Sequence, residues 1–160
     1  MKGIGTALLR AGNCALRLAL LAGLGMFAVY ELMSLPVERR TFVFYGIGTG
    51  KAVVEERMLP RYPEAEQEIT RYVEEVLLGP VLPKTAPLFC RDTALRSLLY
   101  RNGAVYADLS EYAVLPPVED EPLQEGGLDR RLQTLAEGIR RNFPAVREIK
   151  LFINGNPIQD

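Results

Sequence analysis

An α+β fold is the class this 160-residue sequence predicts for residues 41–160, a small two-layer sandwich of about four to five strands with two helices on one face. Three observations predict it. Two stretches carry apolar residues at helical spacing, an Asn-Gly pair separates two β-rich runs, and the elements follow the order ββα–hairpin–αβ. A nearly uncharged start predicts one transmembrane helix ahead of this domain.

That start comes first along the chain. Residues 1–35 hold only Lys2, Arg10, Arg17 and Glu31 as charged side chains, and none lies between Leu18 and Tyr30. At 1.5 Å per residue Arg17 and Glu31 are separated by about 21 Å of helix, so each can reach its own interface while the run between them crosses. The basic residues all precede the run, which places the amino terminus in the cytoplasm and the rest of the chain across the membrane. No A-x-A-like triplet follows it, so residues 1–35 are expected to be a retained signal-anchor, with a cleaved leader as the alternative reading. Membrane contact falls to residues 11–35, and residues 36–40 are read as a linker. Cys14 precedes the run, whereas a lipid-modified cysteine would follow it. Cys90 would lie on the opposite side of the membrane, so no intramolecular disulfide is expected.

Thr41 to Tyr45 is an aromatic and β-branched run and predicts the first strand. The following Gly46-Ile47-Gly48-Thr49-Gly50-Lys51 has neither the glycine spacing of a phosphate loop nor a helix behind it, so it predicts a turn into a second strand, Val53 to Leu59. Between Pro63 and Leu78 the stripe Ala65, Ile69, Tyr72, Val73, Val76 predicts a helix stopped by Gly79-Pro80. Its glutamates Glu64, Glu66, Glu68, Glu74 and Glu75 are read as a solvated face rather than a metal or acid–base site. Leu95 to Tyr100 and Ala104 to Leu109 flank Asn102-Gly103, the strongest short hairpin signal, with Val105, Ala107 and Leu109 inward. An acidic, proline-rich loop leads to a second helix, Leu128 to Phe143, whose stripe is Leu128, Leu132, Leu135, Ile139 and Phe143. Arg130, Arg131, Arg140 and Arg141 decorate its other side. Arg147 to Ile153 alternates as a last strand, with Ile149, Leu151 and Ile153 inward.

Composition narrows the chemistry. Residues 36–160 carry a net charge of −3, which argues against nucleic acid as a partner. The chain has no histidine, hence no neutral-pH imidazole base, no histidine metal ligand and no histidine-assisted nucleophile. No catalytic residue, metal site or cofactor site is assigned.

Several of these stretches together resemble the GerMN domain family, named for a bacterial sporulation and germination protein. The carriers are Phe42-Val43-Phe44-Tyr45, Val53-Val54-Glu55-Glu56-Arg57 after a glycine turn, Leu77-Leu78-Gly79-Pro80, and Asn102-Gly103-Ala104-Val105-Tyr106-Ala107-Asp108-Leu109-Ser110. Asn142-Phe143-Pro144-Ala145-Val146 and Ile149-Lys150-Leu151-Phe152-Ile153-Asn154-Gly155 complete a match from Thr41 to about Ile158. The acidic loop and the charges Glu137, Arg140 and Arg141 depart from the family pattern. The resemblance implies a module similar to the ring-building motifs of envelope complexes, commonly membrane-tethered and without an established catalytic residue.

The expected function is therefore non-catalytic. A protein held in the bacterial cytoplasmic (inner) membrane by one span would present an extracytoplasmic domain, periplasmic in a diderm, to other envelope proteins or to copies of itself. Tyr45, Tyr106, Arg130, Arg131, Arg140 and Arg141 are the candidate interaction surface, with Tyr62, Tyr100 and Tyr112 as further contact candidates. The alternative is an envelope-polymer or small-ligand binding domain using the arginines of the second helix.

Overall fold

The structure is a computed structural model that describes residues 17–29, 36–117 and 127–158. The chain divides into two compact units, Met1–Pro36 and Val37–Asp160. In the first, residues 17–29 form a helix, α1, with its leucines exposed. Among the described residues no helix is long and apolar enough to cross a membrane. The remainder of the expected span, residues 11–16 and 30–35, lies outside the described residues.

The second unit has the α+β order expected, with more strands and in two sheets rather than one. Strands β1 (Val37–Gly46), β2 (Ala52–Pro60) and β3 (Thr85–Ala86) form a sheet in the order β2-β1-β3. Strands β4 (Leu95–Arg101), β5 (Ala104–Leu109), β6 (Glu148–Ile153) and β7 (Asn156–Pro157) form the other in sequence order, with β5 and β6 parallel. The two additional strands, β3 and β7, are two residues long, below the length at which an alternating pattern can register. Helices α2 (Ala65–Leu78) and α3 (Gly127–Asn142) and a 3-10 turn over Glu111–Val114 complete the unit.

Strand β1 starts at Val37, so residues 37–40 of the expected linker belong to the sheet. The reason is Arg40, which shares the inward parity of Phe42 and Phe44 and is buried with them. The turn after β1 and the Asn102-Gly103 hairpin form where expected. Asn102 and Gly103 both take positive φ, at 55° and 80°, as a two-residue turn matching the twist of its strands requires.

One core joins both sheets. Phe42 and Phe44 from β1, Ile69, Tyr72, Val73 and Val76 from α2, Val105, Ala107 and Leu109 from β5, and Leu132, Leu135 and Ile139 from α3 are all buried. The helical stripes and the inward parity of β5 thus fall as the periodicity predicts. Phe89, in the loop before β4, and Phe143, after α3, close the cluster.

The helices also cap strand edges. The side chain of Asn142 accepts from the Thr41 backbone N–H at 2.8 Å and donates to its carbonyl at 2.8 Å, the pairing a neighbouring strand would make. Glu66 of α2 accepts from the Tyr100 N–H on β4 at 2.8 Å.

Candidate interaction surface

Charged residues on the inward parity of β1 and β2 build the first feature. Arg57 lies 4.8 Å from the Phe42 ring centroid, pairs with Glu55 at 2.6 Å and Glu75 at 3.0 Å, and donates to the Gly79 carbonyl at 2.7 Å. Glu55 also accepts from the Val81 N–H at 3.1 Å. Burial pushes the Glu55 carboxyl up, but the Arg57 guanidinium and the Val81 and Leu82 amides outweigh it and hold the pKa below its ordinary value. Arg40 stacks on Phe143 at 4.3 Å and pairs with Glu38 at 2.9 Å and Glu68 at 3.2 Å. Three of the α2 glutamates read as solvated, Glu66, Glu68 and Glu75, are instead ties between helix and strands. Parity with Phe42, Phe44 and Leu59 was the signal that could have placed Arg40, Glu55 and Arg57 inward. These groups fasten β1 and β2 to the helices.

The six candidate residues do not form one patch. Arg130 is exposed, and its guanidinium covers Tyr45 at 4.5 Å, while the Tyr45 hydroxyl meets Thr134 at 2.9 Å. Tyr106 is half-buried on β5, with the Lys150 ammonium 5.5 Å from its ring. Arg140 and Arg141 are exposed in the last turn of α3. Arg131 is not a surface residue. It is buried, donating to the carbonyls of Gly127 at 3.0 Å and Leu115 at 2.7 Å, and burial lowers its pKa. On a helix read as apolar stripe plus charged remainder, its role is to hold the segment after β5. Of the other tyrosines, Tyr112 is exposed and Tyr62 and Tyr100 are half-buried.

Two further surfaces of the described residues bear on binding. A groove of about 640 Å³ runs between α3 and the β6–β7 hairpin, with Leu132, Ala136, Ile149 and Leu151 as apolar lining and Asp129, Gln133, Arg140 and Lys150 as polar lining. The Lys150 pKa is raised by its hydrogen bond to Glu148. The second surface is the outward face of β1 and β2. Val37, Val54 and Met58 are each more than half exposed there, around the Arg39–Glu56 pair at 3.2 Å. Ile47, Leu78 and Val81, in the turn after β1 and around the end of α2, are also more than half exposed. Among the described residues no group of three or more carboxylates and thiols could hold a metal ion. Among the described residues Cys90 is a free, half-buried thiol.

The family model Germane, described as sporulation and spore germination, matches residues 43–159. Two solved structures of the Bacillus subtilis sporulation protein GerM have the same fold. Against its first GerMN domain the TM-score is 0.51 at 20% identity, over 75% of this chain and 86% of that one. Against its tandem GerMN domains the TM-score is 0.53 at 19% identity, over 78% of this chain, which spans only 42% of that longer protein. No curated protein matches the chain.

Proposed function

Because this chain belongs to the Germane family of sporulation and spore-germination domains, we propose that it is a non-catalytic, membrane-anchored protein whose extracytoplasmic domain assembles with other proteins of a bacterial cell envelope. Residues 11–35 supply the anchor in this reading, with the amino terminus inside. A family label carries no pathway, so germination is not part of it. The observation that carries the reading is the bare apolar surface around β1 and β2, where Val37, Ile47, Val54 and Met58 are all at least 55% exposed. A folded domain that leaves such side chains in water gains by covering them with a partner.

The test is a pull-down of the full chain from native membranes in mild detergent, with crosslinking. Expected are a chain that resists alkaline carbonate extraction and defined envelope proteins, or further copies of the chain, in the eluate. A monomer that captures nothing sinks the assembly reading. The groove beside α3 favours one second reading, an envelope-polymer or small-ligand site, because an apolar lining with a few convergent polar groups is what such ligands need. That reading expects cell-wall fragments to bind, and Arg140→Ala to weaken them about tenfold, as loss of a charge-assisted hydrogen bond does.

A further inference from the structure

Several long strand edges of the fold are partly closed, whereas the outer edge of β2 has no backbone partner among the described residues. On β1 the edge away from β2 is occupied by Asn142 at Thr41 and by β3 at Tyr45 and Gly46. On β4 the Tyr100 amide is taken by Glu66. Strand β2, nine residues long, lies at the end of its sheet. The Gly46 N–H donates to the Lys51 carbonyl, and Thr41, opposite Glu56, turns its backbone to Asn142. In an antiparallel ladder that alternation aims the backbone groups of Val54, Glu56 and Met58 away from β1. None of them finds a partner among the described residues.

We propose that this edge pairs antiparallel with β2 of a second copy of the chain, about a two-fold axis through Glu56, making one continuous sheet across the dimer. The inference rests on the assembly reading above and names its surface. The argument for a second copy is the strand's own sequence. Val53-Val54-Glu55-Glu56-Arg57-Met58-Leu59 mirrors apolar residues about Glu56, Val54 with Met58 and Val53 with Leu59, and sets opposite charges, Glu55 and Arg57, at the remaining mirrored pair. In that register Val54 faces Met58 of the second copy on the outward side, and Glu55 faces Arg57 of the second copy on the inward side, each contact occurring twice. Glu55 and Arg57 already answer each other within the domain, so what a copy of β2 adds is the reciprocal Val54–Met58 contact, which covers side chains otherwise more than half exposed. Glu56 faces itself, the one unfavourable pair, with Arg39 on β1 beside it at 3.2 Å.

Register-specific crosslinking tests it, in the full chain in native membranes with Cys14→Ser and Cys90→Ser. Residues on the axis of a hydrogen-bonded pair lie about 5.5 Å apart at Cα, within disulfide reach. Residues four positions out of register lie about 13 Å apart, beyond it. Glu56→Cys is therefore expected to form dimers under mild oxidation. Val54→Cys and Met58→Cys are expected to form none alone but to crosslink when co-expressed. If Glu56→Cys yields no more dimer than Arg101→Cys at the exposed hairpin end of β4, the pairing is overturned. Light scattering of the purified full chain gives an independent readout. Val54→Pro removes an N–H that has no partner within the domain, so the far-ultraviolet spectrum should hold while the dimer is lost. Glu56→Gln removes the self-facing charge and should tighten association about two- to fivefold. An oligomer that persists in Val54→Pro overturns this edge and leaves the assembly reading standing. A monomeric wild type that also captures no envelope protein overturns both.

Discussion

Tyr72 shows how one side chain can set the distance between two helices. Its ring stacks on Phe42 at 4.8 Å, meets Phe143 edge-on at 5.7 Å, and its hydroxyl donates to the Thr41 carbonyl at 3.2 Å. On the facing helix, Gly138 stands where any Cβ would collide with that hydroxyl. The ring is wedged between two others and cannot swing aside as a flexible chain would. Gly138→Ala gains about 1 kcal/mol of helix propensity, but overpacking costs about 1–3 kcal/mol, so a net loss is expected in urea unfolding. Tyr72→Phe removes the obstructing oxygen at the cost of one hydrogen bond. The double variant should then be at least about 0.5 kcal/mol more stable than the two single losses sum to. Strict additivity would show that the helices are spaced by something else. Sequence reading could place Tyr72 in the core from its periodicity, but not Gly138, because close approach between two helices leaves no local pattern.

Between elements, ion pairs of very different worth tie β1 and β2 to their surroundings. Arg39 and Glu56 are 69% and 54% exposed, whereas Arg57 and Glu75 are 13% and 14% exposed. Removing the first pair's arginine costs below about 0.5 kcal/mol, since water already screens it. Arg57→Ala leaves Glu75 with Arg71 alone and Glu55 with only the Val81 and Leu82 amides, and empties the space over Phe42, so a loss of about 2–4 kcal/mol is expected. Parallel urea titrations of Arg39→Ala and Arg57→Ala check it, and equal midpoints would contradict the assignment of Arg57 as the tie between β2 and α2. The same contrast explains what could be read along the chain. The helices, the hairpin and the inward face of β5 were legible because apolar periodicity and Asn-Gly are local signals. The charges of β1 and β2 were given no place in the core: parity pointed them inward, but the groups that make a buried arginine tolerable lie far along the chain, here Glu75, Glu68 and Asn142. Of the candidate surface, Arg130, Arg140 and Arg141 are exposed, whereas Arg131 is buried, and its acceptors are backbone carbonyls that no sequence displays.

At the scale of the whole domain, two sheets share a single core, so they should unfold together, and the pH limits of stability should be common to both. The folded Glu55 pKa is depressed, so its contribution is complete above the ordinary carboxylate range and is lost as pH falls through the folded value. Burial raises the Tyr72 pKa to about 12 from 10.0, with the Asn142 hydrogen bond and the charges of Arg141 and Arg40 acting against it. A raised pKa reverses the sign: the contribution is intact below pH 10 and disappears between about 10 and 12, on the order of 2–3 kcal/mol. With no histidine in the chain, no imidazole titrates between these limits. Urea midpoints are therefore expected to stay level from about pH 5 to 9 and to fall at both ends. Tyr72→Phe should remove the alkaline fall and leave the acid one. Tyrosine near-ultraviolet dichroism and far-ultraviolet dichroism should trace coincident transitions throughout. Non-coincident curves would mean that the β1–β2 sheet and the β4–β7 sheet are separate cooperative units. The shared cluster of Phe42, Tyr72, Val105 and Leu135 would then not be what joins them.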